Sequence, residues 1–216
     1  MKDFFDYLSA RRDHLIELGL EHIQVVALSI TIATVIAVTL GVLVYRRPRP
    51  AQIVLAVTGM FLTIPSYALF GLFIPIVGLG WQPTVIALVM YALLPIVRNT
   101  VTGLHGVDQA IIESAQGMGM GRWRRLFRIE LPLAWPVIMA GIRVSTLILI
   151  GITAIAAAVN GPGLGQDIFD GLARIGGASA LNLVLGGTLG IVALALLFDA
   201  AFAGVTRLTT SRGIRD

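Results

Sequence analysis

The chemistry open to this chain of 216 residues is narrowed first by what it lacks. Lys2 is its only lysine, so no P-loop lysine exists to hold nucleotide phosphates. Cysteine is absent, which removes disulfides, thiolate metal sites and cysteine nucleophiles together. His14, His22 and His105 are scattered and make no zinc pattern, and no paired-acid or Ser–His constellation is visible. What remains is recognition chemistry, concentrated in residues 113–132, Glu-Ser-Ala-Gln-Gly-Met-Gly-Met-Gly-Arg-Trp-Arg-Arg-Leu-Phe-Arg-Ile-Glu-Leu-Pro. This polar, glycine-broken, arginine-rich stretch interrupts an otherwise apolar chain. Its spacing is specific: Glu113, Ser114 and Ala115, then Gly119, then nine residues to Ile129-Glu130-Leu131-Pro132.

The elements that must present this segment can be read around it. Asp108 can serve as an N-cap, which predicts a helix from there to about Gln116. Gly117, Gly119 and Gly121 predict a turn where helix propensity fails and positive φ is cheap. Arg122–Arg128 predicts a second short helix, and Pro132 suits the start of the element that follows. The result is a helix–turn–helix over 108–132. Met118, Met120, Trp123, Leu126 and Phe127 are large apolar groups on it that lipid need not cover, suited to a hydrophobic groove on a partner. The arginines taken alone also fit a loop that merely anchors topology. Charge bias explains neither the Glu113-to-Gly119 spacing nor the Ile-x-Leu-Pro exit.

The rest of the chain is membrane. Hydrophobic residues make up 56% and charged residues 13%, and the mean hydropathy of +0.88 lies far outside the range of soluble domains. His22–Tyr45 runs 24 residues without a charge, enough to cross a hydrocarbon core of roughly 30 Å. Pro50–Val97 runs 48, right for two spans with a break near Gly71–Pro83. Leu131–Gln166 carries only Arg143, and Ile175–Phe198 is a further clean run of 24. Five transmembrane helices are expected near 22–45, 51–73, 83–104, 134–159 and 181–206, making residues 22–206 one integral domain. Continuous apolarity, without alternation, argues against a barrel. The first apolar run is too long for a signal-peptide core. Residues 1–21 form an outer-face segment, either a short amphipathic helix or a solvated leader, and 207–216 a tail.

Arg46, Arg47 and Arg49 fall between the first two spans, Arg122, Arg124, Arg125 and Arg128 between the third and fourth, and Arg207, Arg212 and Arg215 after the fifth. An odd span number places all three groups on one side, which is the cytoplasm, with the N-terminus outside. The net charge of +4 is thereby a membrane signal and calls for no nucleic acid.

The pattern in 113–132 closely resembles the coupling motif of ABC importer permeases, Glu-Ala-Ala, three residues, Gly, nine residues, Ile-x-Leu-Pro, departing only at Ser114. Ile64-Pro-Ser-Tyr-Ala-Leu-Phe-Gly-Leu, Leu93-Leu-Pro-Ile-Val-Arg-Asn-Thr-Val-Thr-Gly-Leu and Leu131-Pro-Leu-Ala-Trp-Pro-Val-Ile-Met-Ala-Gly-Ile-Arg further resemble the osmoprotectant permeases, which import glycine betaine, choline and carnitine. The similarity covers about residues 20–206. One departure is Asn160-Gly-Pro-Gly, where that family often has Gly-Ala-Gly-Gly. The resemblance implies an all-α, five-helix type I importer fold like that of the methionine permeases, with a cytoplasmic coupling helix–turn–helix. It implies a non-catalytic permease of the bacterial or archaeal plasma membrane that binds no cofactor. It also implies three kinds of partner: separate ABC ATPase subunits, an extracellular or periplasmic substrate-binding protein, and a second permease copy, identical or paralogous. The positions it marks for ATPase coupling are Glu113, Ser114, Ala115, Gly119, Ile129, Leu131 and Pro132, to which Trp123, Leu126 and Phe127 are added as groove-filling side chains.

Polar and aromatic residues within the spans complete the candidates. A quaternary ammonium cargo is attracted to aromatic faces, and Tyr67, Tyr91, Trp81 and Phe73 lie in or near the second and third spans. Tyr67, Tyr91 and Asn160 are candidate path residues; ordinary packing is the competing reading. An arginine at mid-membrane costs about 2.5–3.5 kcal/mol on insertion scales, so Arg143 needs a polar neighbour or access to the interface. Asp199 lies at similar depth in a span running the opposite way, so the two either pair or each reach the inner interface independently. Gly186 and Gly190 permit close helix packing, within the chain or between copies. Methionine or other amino-acid importers share the expected fold and hook. An ion-coupled secondary transporter or an intramembrane enzyme would need carboxylates beyond Asp199 within the spans.

Overall fold

The computed structural model describes residues 2–209; Arg212, Arg215 and most of the 207–216 tail lie outside the described residues. Ten α-helices follow in order: α1 Lys2–Ala10, α2 Arg12–Val44, α3 Pro48–Thr63, α4 Ser66–Val77, α5 Trp81–His105, α6 Gln109–Gly117, α7 Arg122–Arg125, α8 Leu131–Ile155, α9 Gly165–Ala173 and α10 Ala180–Thr209. A π-helical turn, Leu126–Glu130, joins α7 to α8, and a 3₁₀ turn, Ala156–Val159, ends α8. Helix is the expected answer to lipid, which leaves backbone groups only their own chain to bond with.

Four helices are long and apolar enough to cross a bilayer, and the bent pair α3–α4 brings the number to five where it counts as one broken span. Of the long helices, α5 is the most buried, and it packs against both α2 and α8. This trio forms the core around Val25, Val26, Leu88, Ile96, Ile138 and Leu149. Hydroxyls inside it return to their own helix: Thr100, Thr146 and Thr153 each donate to the carbonyl four residues earlier, at 2.8, 2.9 and 2.7 Å. Gly141 marks the closest approach of α8 to α5. A Cβ there would sit 2.7 Å from Asn99 Cβ and 2.9 Å from the Pro95 carbonyl oxygen.

Three expected boundaries are corrected. The first crossing helix starts at Arg12, ten residues ahead of its expected start at His22, so 21/22 is not a structural boundary. The charges of 12–21 obscured a helix whose outer end is held by the α9 region. There Asp167 is buried and lies 2.9 Å from His14 Nε2 and 3.5 Å from an Arg11 nitrogen, while the Gly163 N–H donates to Glu21. The second crossing is not one straight helix over 51–73. It breaks at Ile64–Pro65 with a 97° bend, because Pro65 has no N–H to continue the ladder and its ring disfavours helical backbone at Ile64, which is extended at φ −76°, ψ 128°. Tyr91 OH then donates to the stranded Ile64 carbonyl. The expected break in 71–83 is also present, at Gly78 and Gly80, both at positive φ. Third, the second arm of the hook is not a separate helix, since α7 continues through the π turn into α8.

The last crossing, α10, packs on α9 and α8 and leaves a broad apolar face outward. Gly186 and Gly190 sit within the chain's own packing, beneath Tyr7 and Leu164 respectively. Arg143, midway along α8, donates Nε to Asp199 Oδ1 on α10 at 2.6 Å, so the two charges meet where lipid offers neither a counterion.

Two outcomes follow. Gly141→Val should lower the thermal midpoint through overpacking of about 1–3 kcal/mol, whereas Gly71→Ala, with open space at its Cβ, should not; thermal melts in detergent or nanodiscs read both. Asp199→Ala strands Arg143 in the bilayer at a cost of up to about 3 kcal/mol. The yield of inserted protein should fall and should return in the Arg143→Leu/Asp199→Leu double variant.

Candidate functional site: the hook at residues 108–132

The hook begins where Asp108 caps α6, its carboxylate accepting the Ala110 N–H at 2.8 Å. Nine residues later the helix is ended by a paired closure: Met120 N–H bonds the Ala115 carbonyl at 3.0 Å, and Gly119 N–H bonds the Gln116 carbonyl at 2.8 Å. That arrangement requires a left-handed residue between them, and Gly119 supplies it at φ 77°. The interval from Ala115 to Gly119 is thus the geometry of a helix stop. Gly117 and Gly121 have no such requirement.

After the turn the chain re-enters helix at Arg122. Trp123 and Phe127 stack with ring centroids 6.3 Å apart and planes at 20°. Each is 63% exposed, and Met118 across the turn is 73% exposed. These three form an apolar knob at the tip. Glu113, Ser114 and Gly119 are exposed beside it, Ile129 and Leu131 are half-buried, and Pro132 is exposed in the first turn of α8. Ala115 is buried under the hook. Leu126 was expected on the groove-filling face and is not there. It is buried in the transmembrane core, because one residue before Phe127 it points about 100° away round the helix, toward the bundle.

The π turn creates the feature that the residue pattern did not reveal. The Leu131 N–H reaches back to the Leu126 carbonyl, five residues earlier. Side chains five apart diverge on an α-helix but align across a π turn, and Arg125 Nε donates to Glu130 Oε1 at 2.7 Å. Glu130 is fully buried and Arg125 nearly so, although all four arginines of the hook had been read as a topological set. Tyr45 OH, just beyond the end of α2, donates to Glu130 Oε2 at 2.5 Å, and an Arg46 terminal nitrogen donates to Glu130 Oε1 at 2.9 Å. Arg46 Nε also donates to the Tyr45 hydroxyl. His105, the last residue of α5, bonds the Tyr45 carbonyl through Nε2. The cluster lines a polar cavity of about 300 Å³ roofed by Gln109, Ile112 and Gln116 of α6. The signal available beforehand was a single acid, Glu130, following four arginines.

The candidate path residues do not behave alike. Tyr67 on α4 is 62% exposed. Tyr91 is buried and serves the fold by satisfying Ile64, so it does not line an open route. Asn160 is exposed and left-handed at φ 55°, beside a cavity of about 300 Å³ that also involves Gln166, Phe169 and Asp170.

Comparison with known proteins agrees with this architecture. The family model for the binding-protein-dependent transport system inner membrane component matches residues 29–210. The glycine betaine/carnitine/choline transport system permease protein OpuCB of Bacillus subtilis is 35% identical, covering 100% of this chain and 97% of that protein. The osmoprotectant import permease protein OsmW of Salmonella typhimurium is 38% identical, covering 99% and 100%. Among solved structures, an inward-facing MetNI methionine ABC transporter superposes with a TM-score of 0.80 at 26% identity, covering 91% of this chain and 96% of that one. An all-helical bundle of multiple crossings, a capped hook between the third and fourth of them, and likeness along the full length lead to one assignment: the chain belongs to the binding-protein-dependent transport system inner membrane component family, as a multi-pass membrane permease.

Proposed function

We propose that this chain forms the translocation path of an ATP-driven importer for quaternary ammonium osmoprotectants such as glycine betaine, choline or carnitine. The observation that carries the substrate class is the end-to-end likeness to permeases named for those solutes. The likeness to a methionine transporter is one of fold at lower identity, and so supports the mechanism more than the cargo.

The hook supports the energy source. Its knob of Met118, Trp123 and Phe127 is apolar, exposed and held rigidly by the Gly119 closure, as a groove on a separate ATPase would require. Glu113 and Ser114 flank it as polar contacts. The basic clusters share one end of the bundle, since Arg46 touches Glu130 and Thr209 near Arg207 accepts from Trp135. That end is the cytoplasm and α1 lies outside. The outward apolar faces of α3, α4 and α10, with Ile53, Met60, Leu72, Leu189 and Leu196 exposed, accommodate a second permease copy as well as lipid. Tyr67 and Asn160 remain the residues proposed for the path. Substrate reaches it from a separate binding protein.

The cargo is tested by uptake into vesicles holding the assembled importer. Labelled glycine betaine, choline or carnitine should be taken up saturably and methionine should not; methionine uptake with none of the three would sink the proposal. The hook is tested on the same vesicles. Gly119→Asp or Glu113→Lys should abolish uptake while insertion stays intact, and Trp123→Ala should weaken ATPase association by about 2 kcal/mol, roughly thirtyfold. Normal uptake by both of the first two variants would remove residues 113–132 from the coupling role.

A further inference from the structure

We propose that Glu130 is the positioning residue that converts movement of the hook into movement of the spans. The inference rests on the reading of residues 108–132 as the ATPase-docking segment. Two parts of the chain meet on this one carboxylate, the hook through Arg125 and the cytoplasmic end of α2 through Tyr45 and Arg46, and the end of α5 joins at one remove through the bond between His105 and the Tyr45 carbonyl. Elsewhere the ties of the hook to the bundle are apolar, through Leu126 in the core, and among the described residues carry no directional bond. The α6 arm stands over a polar cavity instead of packing on a helix, and the tip residues face outward.

A structural role alone explains this poorly. A buried ion cluster is weak support for stability, because desolvation of the charges offsets their attraction, and an apolar group of similar volume serves a fold as well. What such a cluster does enforce is register, since each donor has one place where it is satisfied. Here it also holds a π turn, an element that can revert to α-helix once Arg125 and Glu130 need not align. Relaxation would rotate the hook about the axis of α8, and force on Trp123 and Phe127 would no longer reach Tyr45. Arg46 is the partner with room to rearrange: its side chain is 32% exposed, against 6% for Arg125 and 0% for Glu130, and it borders the cavity. The cluster therefore has space for a second arrangement while Arg125 keeps its hold, as a transmitting element needs.

The readout is the number of ATP molecules hydrolysed per solute imported by the reconstituted complex, a ratio that does not depend on how much complex is folded. Glu130→Gln should raise it at least about fivefold, and Tyr45→Phe, which keeps both ion pairs, about twofold. A ratio equal to wild type in Glu130→Gln overturns the proposal, whatever the individual rates. Should Glu130→Gln not assemble, Tyr45→Phe decides: a raised ratio supports the proposal, and an unchanged ratio or failure of both variants to assemble overturns it. Cross-linking of Met118→Cys to the ATPase in an otherwise native hook runs alongside. Its absence sinks the docking reading itself and is distinguishable from an unchanged ratio with the cross-link present.

Discussion

Hydrocarbon supplies no hydrogen bonds, so the polar groups this chain carries into the bilayer are drawn to partners within the chain. The consequences run through the whole molecule. Backbones coil into helices, and core threonines bond back to their own turn. Where Pro65 breaks a helix, Tyr91 arrives to satisfy the carbonyl left over. Where α8 carries Arg143 to mid-depth, α10 carries Asp199 to meet it. The same rule at the hook end of the bundle gathers Arg125, Arg46 and Tyr45 around Glu130. A membrane protein with few polar groups is in this sense organised by them, because the apolar remainder packs as well against lipid as against itself.

The hook combines two opposite demands. Its tip is exposed and apolar, and its base is fixed to the bundle. The two are separated along eight residues: Trp123 and Phe127 point out, while Arg125, Leu126 and Glu130 point in. Alternation that tight on a regular helix would leave some side chain on the wrong face. The π turn resolves it by shifting the phase of the base relative to the tip.

What could be read from residues alone was whatever local chemistry determines. The cap at Asp108, the stop at Gly119 and the apolar tip depend on neighbours within six positions, and their spacing displays them. The depths of Arg143 and Asp199 followed from counting along two oppositely directed spans. The π turn was hidden because its extra residue is stabilised by Tyr45 and Arg46, some eighty positions away, and with it went the inward turn of Glu130. The start of α2 was hidden for a related reason. Its charges at 12–21 look like a solvated leader until Asp167 and Gly163 from the far side of the chain supply their partners. Proline at 65 was plain to see, but the size of the bend was not.

One further feature is the length of α2. Its 33 residues contain no proline and extend about 50 Å, longer than a hydrocarbon core is thick. One tip sits beside Tyr45 and the carboxylate knot; the other is fastened through His14 to Asp167 of α9. The protein thereby owns an unjointed rod joining the Glu130 cluster to the α9 region, so a displacement at one tip reaches the other without passing through any intervening break.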